Sequence, residues 1–434
     1  MQYDLVVIGS GWAGFNAALR AKELGFKVAV IEKKQLGGTC LNLGCIPTKA
    51  LIQSAKVYSL SKKAKRFGIE ISAPLLNFSE VQKRKELIVG QLRSGISSML
   101  GGIDIFNGQA SIVSAGTVEV GGEKLDTRFI LIACGSKPYV PEGLISGSKK
   151  FITSDEMLEL KGLPKSLLIV GGGVVGSEFA GLFSSLGCQV SLVELMPQLL
   201  PGLDEEVAKK LEGIFKKKGV KVSTNTDARA ARAEDYEIAL CCIGRIPDTS
   251  RLCLDKLGIR LEKGKIVTDE HLLTSIPNIY AAGDCNGRVM LAHAASYQGI
   301  LAVENMANPA NPRKADRLIP SCIFTDPEIS SVGLTEKEAR AAGVEVRVDK
   351  FDFLGSGMAR ILDETEGFIK IVSNKKTGQI LGSSIIGARA TELISTLAVA
   401  IQHKLKTAEL KRIVFPHPTL AEGIGEALKK SDGV

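Results

Sequence analysis

The segment GGTCLNLGCIPTK, residues 37–49, contains the side chains of this protein that are best suited to chemistry. Its two cysteines, Cys40 and Cys45, could form a structural disulfide, half of a metal site or a redox-active pair. No second pair of cysteines or histidines with suitable spacing accompanies them, which disfavours zinc. The chain has nine cysteines and no predicted secretory signal, so a framework of structural disulfides is not expected. The pattern therefore favours redox chemistry.

The spacing of the two cysteines also predicts the local backbone. In a regular α-helix, residues five apart are separated by about 8–9 Å at Cα, whereas a disulfide needs roughly 4.4–6.8 Å. The segment between them must therefore be non-helical or distorted, which Gly44 makes easier. Because Pro47 suits the first turn of a helix, Cys45 should lie at a helix N-terminus, where the helix dipole favours a thiolate.

Composition excludes several classes of function. The net charge of +8 over 434 residues comes from scattered basic residues, such as the run at 216–218, so a solvated surface is expected and a nucleic-acid site is not. No segment reaches the roughly 18 apolar residues of a membrane span. The N-terminal YDLVVIGSG passes directly from an apolar strand into a glycine turn, unlike a signal peptide. These features predict a cytoplasmic protein.

An internal repeat shows which elements must position this segment. Residues 3–32 match residues 165–194 at a constant offset of 162, and each copy has the pattern of a buried strand, a glycine turn, an apolar helix and a strand that ends in an acid. The aligned residues are Gly9 with Gly171, Gly11 with Gly173, Gly14 with Gly176, and Glu32 with Glu194.

This pattern is typical of dinucleotide binding. The first glycine permits the tight turn, the second lets the backbone approach the pyrophosphate, and the third brings helix and strand together. The phosphates then meet the helix N-terminus. Glu32 and Glu194 are each placed to accept a hydrogen bond from a ribose hydroxyl. Two complete copies predict two dinucleotides on one chain.

Two further segments resemble motifs of flavoenzymes that bind two dinucleotides. SIPNIYAAGDCNG, residues 275–287, resembles the second FAD motif, in which Asp284 would bind the ribitol and the nearby phosphate. FILIACGSKP, residues 129–138, resembles the strand that closes the first FAD segment. The resemblance thus assigns FAD to the first repeat and a nicotinamide dinucleotide to the second. Glu194, followed by LMPQLLPGLDEEV without Lys or Arg, favours NAD over NADP.

The redox segment itself resembles that of the class I pyridine nucleotide–disulfide oxidoreductases, and the resemblance covers nearly the whole chain. GRIPDT (244–249), IPSCIFTDPEISSVGLTE (319–336) and FPHPTLAEG (415–423) resemble further motifs of that family. MLAHAASYQG (290–299) is most similar to the dihydrolipoamide dehydrogenases among its members. The C-terminal KKSDGV differs from the cysteine pair that ends mercuric reductases.

The family resemblance implies an α/β fold with two Rossmann-like dinucleotide-binding domains, for FAD and NAD, and a C-terminal α+β dimerisation domain. The implied divisions are 1–140 and 259–316 for the FAD domain, 141–258 for the NAD domain and 317–434 for the dimerisation domain. In the last, GFIKIVSNKKTGQILGSSIIG predicts an antiparallel hairpin that turns at Thr377-Gly378, and TELISTLAVAIQHKL predicts a helix.

The resemblance also assigns roles. Cys45 would be the thiolate beside the flavin, and Cys40 the thiol that exchanges with substrate. Lys49 would pair with Glu178, and His417, oriented by Glu422, would be the general base. The implied FAD-binding residues are Gly9, Gly11, Gly14, Glu32, Gly38, Thr39, Lys49, Gly135, Asp284 and Ala292. The implied NAD-binding residues are Gly171, Gly173, Gly176, Glu194 and Gly244, and no metal ligand is implied.

The implied reaction passes two electrons from dihydrolipoamide to a Cys40–Cys45 disulfide, then to FAD and NAD⁺, in a homodimer with shared active sites. A 2-oxo acid dehydrogenase or glycine cleavage complex would be the partner. The chain departs from the family pattern in several places. Cys134 stands where Thr is common, Asp248 where Asn is usual and Phe415 where a histidine is common. The stretch 224–238 is also shorter than usual.

Two alternatives remain at this point. One is an NAD(P)H-dependent reductase of another disulfide or of a metal ion. The other is a non-catalytic flavoprotein that senses redox state.

Overall fold

The computed structural model describes residues 2–141 and 150–429. Met1, residues 142–149 of the predicted NAD domain and most of the C-terminal KKSDGV lie outside this part. The first segment contains seven strands and four helices: β1 (Tyr3–Ile8), α1 (Trp12–Glu23), β2 (Val28–Glu32), α2 (Gly38–Asn42), α3 (Cys45–Lys62), α4 (Phe78–Met99), β3 (Asp104–Asn107), β4 (Ala110–Ser114), β5 (Thr117–Val120), β6 (Glu123–Ile132) and β7 (Ser136–Pro138).

The second repeat lies within the next group of elements. They are β8 (Phe151–Ile152), α5 (Ser154–Met157), β9 (Ser166–Val170), α6 (Val174–Leu186), β10 (Gln189–Val193), α7 (Glu205–Lys217), β11 (Lys221–Ser223), β12 (Ile238–Cys241) and β13 (Arg245–Pro247). After them, the chain returns to the first domain through β14 (Leu261–Glu262), β15 (Lys265–Ile266), β16 (Ile279–Ala281) and α8 (Ala292–Ala307).

The C-terminal elements form a domain of their own. They are β17 (Ser321–Ile323), β18 (Glu328–Gly333), α9 (Glu336–Ala341), β19 (Val346–Asp352), α10 (Gly357–Ile361), β20 (Phe368–Asn374), β21 (Ile380–Gly387), α11 (Ala390–Gln402), α12 (Thr407–Leu410) and α13 (Glu422–Lys429). β20 and β21 are the predicted hairpin, and α11 is the predicted helix.

The two repeats form two doubly wound sheets. In the first, β3, β2, β1 and β6 are adjacent and parallel, β16 pairs with β6, and β5 and β4 extend the sheet in antiparallel fashion. The second has the order β11-β10-β9-β12-β8 and is parallel throughout. A five-stranded antiparallel sheet, β17-β18-β21-β20-β19, completes the predicted fold class.

The third glycine of each motif has the predicted packing role. A Cβ atom on Gly14 would lie 1.8 Å from the carbonyl oxygen of Gly9, and one on Gly176 would lie 1.8 Å from that of Gly171. Any larger residue would therefore push the helix away from its strand. These close contacts hold the N-termini of α1 and α6 at the carboxyl ends of the strands that precede them.

Buried apolar residues connect the domains. Leu51 of α3, Phe183 of α6 and Ile329 of β18 belong to one continuous core, so the helix that begins at Cys45 is held from two sides. Leu252 and Leu254 pack in the core of the first domain, so the chain returns to that domain slightly before the predicted boundary at 258.

Candidate active site

The two cysteines of the redox segment lie on consecutive helices. α2 ends at Asn42, Leu43 and Gly44 are non-helical, and α3 begins at Cys45. The predicted interruption at Gly44 and the placement of Cys45 at a helix N-terminus are thus confirmed. Both cysteines are half-buried free thiols. This break in the helix brings together two thiols that a continuous helix would keep apart.

The two thiols differ in their affinity for a proton. The pKa of Cys45 is lowered to about 7, because its sulfur accepts a hydrogen bond from the Cys40 thiol, and the charge of Lys49 acts in the same direction. The same hydrogen bond, together with burial, raises the pKa of Cys40. In the reduced state the proton therefore stays on Cys40, and the negative charge is carried by Cys45.

The predicted pair of Lys49 and Glu178 is present. The Lys49 ammonium lies 2.8 and 2.7 Å from the two carboxylate oxygens of Glu178, which is buried on α6. The backbone N–H of Phe324, next to β17, donates to the same carboxylate at 2.9 Å. The pair thus joins all three domains within one turn of Cys45.

The acid at the end of each repeat is held by the glycine turn of its own repeat. Glu32 accepts hydrogen bonds from the backbone N–H and the hydroxyl of Ser10 and from the N–H of Lys34. Glu194 accepts from the N–H groups of Gly172 and Met196, the equivalent positions. A carboxylate can accept about four hydrogen bonds, so each acid can still accept one from a ribose hydroxyl.

The two helices that follow these turns have no side-chain caps. Gly11 and Gly173 precede α1 and α6, and no side-chain hydrogen bond caps either N-terminus. By contrast, Asp204 caps α7 and Asn77 caps α4. Unpaired N–H groups at a helix N-terminus bind phosphate. These residues therefore fit two dinucleotides.

The other predicted FAD residues surround α1 and the end of β6. Gly38 and Thr39 begin α2, and an added Cβ on Gly38 would lie only 2.6 Å from the Cα of Gly11. Gly135, with a φ of 72°, lies three residues after the end of β6. Asp284 accepts from the Ser136 hydroxyl at 2.6 Å. Ala292 is the first residue of α8.

A cavity of about 960 Å³ lies above the second repeat. Gly171, Gly173, Glu194 and Gly244, four of the five predicted NAD residues, line it, whereas Gly176 packs against the strand behind them. The size of the cavity and the Glu194 carboxylate in its lining suit NAD.

The short stretch 224–238 contributes residues that sequence reasoning missed. Thr226, Asp227 and Arg229 line the cavity, and the N–H of Thr226 donates to the Glu194 carbonyl at 3.0 Å. The Arg229 guanidinium is held by the Asp227 carboxylate at 2.6 Å. Their position in the sequence could have indicated this role. The stretch follows the carboxyl end of β11, and parallel sheets bind ligands at the carboxyl ends of their strands.

His417 and Glu422 form the predicted pair in the C-terminal domain. Nδ1 of His417 lies 2.7 Å from the Glu422 carboxylate, which also accepts from the N–H of Thr419 at 2.8 Å. These contacts lower the pKa of Glu422, the Thr419 N–H having the larger effect. The His417 side chain is 80% exposed. Within the described part of a single chain, no hydrogen bond or ion pair joins it to the redox segment.

The described ranges contain neither a membrane-spanning helix nor a cluster of metal-binding side chains. None of their helices is long and apolar enough to cross a membrane. In residues 2–141 and 150–429, no group of three or more His, Cys, Asp or Glu side chains is arranged to hold a metal ion.

Comparisons with known proteins cover almost the whole chain. The family described as pyridine nucleotide-disulphide oxidoreductase matches residues 3–299, and its dimerisation domain matches residues 319–428. The dihydrolipoyl dehydrogenase of Bacillus subtilis is 39% identical, with coverage of 100% of this chain and 98% of the relative. That of Chlorobaculum parvum is also 39% identical, with coverage of 98% and 96%.

Solved structures with the same architecture include a second kind of enzyme. The HOCl-induced flavoprotein disulfide reductase RclA from Escherichia coli superposes with a TM-score of 0.89 at 28% identity, over 98% of this chain and 99% of that one. Its Cu(II) complex has a TM-score of 0.89 at 27% identity, over 99% of both chains.

Proposed function

Since the chain belongs to the pyridine nucleotide-disulphide oxidoreductases, we propose that it oxidises dihydrolipoamide to lipoamide and reduces NAD⁺, with FAD as its bound cofactor. The observation that carries this proposal is the pair of free thiols at the break between α2 and α3, with the Lys49–Glu178 ion pair within one turn of Cys45. The choice of lipoamide is supported by the dihydrolipoyl dehydrogenases at 36–39% identity.

The thiol steps can be derived from residues of this chain. In the oxidised enzyme, one substrate thiolate attacks Cys40 of the Cys40–Cys45 disulfide, and Cys45 leaves with the electron pair as a thiolate. The second substrate thiol then attacks the sulfur bound to Cys40, which closes the lipoamide ring and releases Cys40. His417 takes the substrate proton at Nε2, while Glu422 holds Nδ1.

Lys49 and the start of α3 stabilise the product of these steps. The Lys49 charge and the helix dipole both favour the Cys45 thiolate over the thiol. Bound FAD and NAD would supply the electron and hydride transfer that follows. Glu32, Asp284 and the N-terminus of α1 would hold FAD, and Glu194 with the N-terminus of α6 would hold NAD.

The proposal includes a cytoplasmic homodimer in which His417 of one subunit serves the thiol pair of the other. The match to a dimerisation domain supports dimer formation. The exposure of His417 supports the sharing of sites, because a general base must be shielded and close to its substrate to act. A lipoylated 2-oxo acid dehydrogenase or glycine cleavage complex is the proposed partner.

The test compares the kcat/KM values of the purified flavoprotein for different substrates. Dihydrolipoamide with NAD⁺ should give the highest kcat/KM, and His417→Ala should lower it by about 10²–10⁴-fold, the usual cost of losing a general base. Oxidised glutathione, Hg²⁺ and Cu²⁺ with NADH are the comparison reactions. Efficient reduction of one of these, with weak lipoamide turnover, would instead support the reductase alternative, in line with the similarity to RclA.

A further inference from the structure

Asn42, the last residue of α2, uses its whole side-chain amide in hydrogen bonds. Its amide nitrogen donates to the carbonyl oxygen of Leu36 at 3.0 Å and to that of Gly38 at 2.9 Å. Its amide oxygen accepts from Nε and Nη2 of Arg93 at 3.0 and 2.8 Å. Since an amide can donate two hydrogen bonds and accept two, these four contacts saturate it. Asn42 therefore cannot rotate without losing several of them.

The contact with Arg93 joins α2 to a separate helix. Arg93 lies on α4, 51 residues after Asn42 in the chain, and the contact is partly buried. A guanidinium can only donate and a backbone carbonyl can only accept, so the partners fix which end of the amide faces Arg93. Hydrogen bonds from a charged donor are stronger than neutral ones. The C-terminal end of α2 is thus held to α4.

Apolar packing holds α2 to the same face of α4. Ile96 follows Arg93 by three residues, which places the two side chains on one side of the helix. Ile96 and Leu41 are buried in one apolar cluster. Both lie over Gly37, the residue before α2, because an added Cβ there would be 2.4 Å from Leu41 Cδ2 and 3.2 Å from Ile96 Cδ1. α4 therefore supports α2 along its length.

The position of the two thiols depends on this support. α2 contains Cys40, has five residues and no side-chain cap, and so has little helical stability of its own. Cys45 begins the next helix, after the break at Gly44. An added Cβ on Gly44 would lie 3.0 Å from the carbonyl oxygen of Thr39 and 3.3 Å from the Cα of Cys40, so the chain passes closely over α2 at the break. A shift of α2 would therefore move one thiol relative to the other.

We propose that Arg93 is a positioning residue for the redox pair. Through Asn42 it holds α2 in place, so that the Cys40 sulfur stays close to that of Cys45 after the disulfide has been reduced. On reoxidation a bond forms between the two sulfur atoms, and two electrons and two thiol protons pass to the oxidant. Thiols that are held together have a higher effective concentration than mobile ones, which favours the disulfide. The inference rests on the proposed function, in that it takes Cys40 and Cys45 as the redox pair.

The test measures the equilibrium between the disulfide and the two thiols in the purified flavoprotein. Mixtures of reduced and oxidised dithiothreitol exchange two electrons and two protons with the Cys40–Cys45 pair, and the free thiols are then alkylated and identified by mass spectrometry. Arg93→Met should lower the equilibrium constant for disulfide formation by about tenfold, which raises the reduction potential by about 30 mV. Arg93→Lys keeps the charge but donates from a single nitrogen, so it should cause a smaller shift in the same direction.

Two further variants show whether Arg93 acts through Asn42. Asn42→Ala should shift the equilibrium at least as far as Arg93→Met does, and the double variant should shift it no further than Asn42→Ala alone. Arg84→Met is the matched control. Arg84 also lies on α4, but it donates to the Ala50 carbonyl of α3 at 3.1 Å. Its replacement removes the same charge and should leave the equilibrium unchanged.

Three results would overturn the inference: an unchanged equilibrium in the Arg93 variants, additive shifts in the double variant, or an equal shift in Arg84→Met. If Arg93→Met does not fold, the presence or absence of a shift in Arg93→Lys decides. The assay uses neither lipoamide nor NAD. The expected shifts without lipoamide turnover would therefore contradict only the proposed substrate, whereas lipoamide turnover without the shifts would contradict only the role of Arg93.

Discussion

Cys40 and Cys45 carry the same functional group, yet the structure gives them opposite tendencies to ionise. Cys45 begins a helix, accepts a hydrogen bond and lies close to Lys49, and all three features stabilise a thiolate. Cys40 donates that hydrogen bond and would ionise beside an existing negative charge. Two interacting thiols therefore release their protons in separate steps.

This difference predicts distinct spectra for the two cysteine variants. With a Cys45 thiolate next to the flavin, partial reduction of the yellow protein should produce a long-wavelength charge-transfer band. Cys45→Ser should abolish the band, and Cys40→Ser should show it without any reductant. Absorption spectroscopy measures both. The reverse pattern would exchange the roles assigned to the two thiols.

The same band should depend on pH. Because the pKa of Cys45 is lowered to about 7, its thiolate, and with it the band of the reduced enzyme, should be present above this pH and be lost on acidification below it. Lys49→Met removes a stabilising charge and should move the midpoint to higher pH. A midpoint that does not respond to this variant would mean that Lys49 has no electrostatic effect on the thiolate.

Glu194 should determine the preference for NAD over NADP. Its carboxylate lines the cavity, where the N–H of Gly172 holds it, and would repel a 2′-phosphate, while Arg229 is paired with Asp227. We expect kcat/KM to favour NAD by at least about tenfold, or 1.4 kcal/mol. A double variant, Glu194→Ser with Asp227→Asn, removes the repulsion and frees Arg229, and should lower that ratio. An NADP preference in the wild type would contradict this assignment.

At the scale of elements, one buried lysine connects α7 of the second domain with the C-terminal sheet. Lys370 on β20 is 3% exposed, and its ammonium lies 2.9 Å from Asp204, 2.8 Å from Glu206 and 3.0 Å from Glu336. Asp204 also caps α7. Removing one partner of a buried ion cluster leaves uncompensated charge, which costs more than the pair itself contributes.

We therefore expect Lys370→Met to lower the free energy of unfolding by about 3–5 kcal/mol. Lys217→Met is the matched control, because Lys217 is 73% exposed in its pair with Glu366 and should contribute less than about 1 kcal/mol. Urea denaturation of the two variants and the wild type provides the comparison. Equal midpoints for all three proteins would show that the cluster contributes no stability.

The stability that the ion cluster around Lys370 gives the folded protein should also depend on pH. Hydrogen bonds from Lys350 and Lys370 lower the pKa of Glu206, and Lys370 lowers that of Glu336. A carboxylate whose pKa is lower in the folded state stabilises the protein above its unfolded pKa, and this contribution is lost as the pH falls through the folded value. The difference between the wild type and Lys370→Met should therefore shrink on acidification.

At the scale of the whole molecule, the candidate site is divided between the two ends of the chain. The redox segment is held by a core shared between the three domains, whereas the His417–Glu422 pair lies exposed at the C-terminal end of the fold. In an isologous dimer, the redox segment of each subunit would meet the His417–Glu422 pair of the other, which gives two equivalent shared sites.

A mixture of inactive subunits tests this arrangement. Cys45→Ser and His417→Ala should each be nearly inactive alone. In a heterodimer of the two variants, both substituted residues belong to one shared site, and the second site is intact. The heterodimer should therefore regain about half of the activity of the wild type. Steady-state lipoamide turnover after verified subunit exchange is the measurement. A mixture as inactive as its parents would mean that His417 serves its own chain or none.

Much of the fold and of the candidate site could be predicted from local sequence signals. The glycine turns, the acids that end each repeat, the break at Gly44 and the β20–β21 hairpin were all readable, because each depends on backbone geometry within a few residues. The pairs Lys49–Glu178 and His417–Glu422 were predicted through the resemblance to a family.

Only the tertiary structure decided which distant side chains meet. The position of Arg229 in the lining of the NAD cavity and the cluster around Lys370 have no local sequence pattern. Lys370 occurs within a buried strand. Their roles depend on how helices and sheets that are far apart in sequence pack against one another. The physical reason is that hydrophobic periodicity specifies which face of an element is buried, but not which partner covers it.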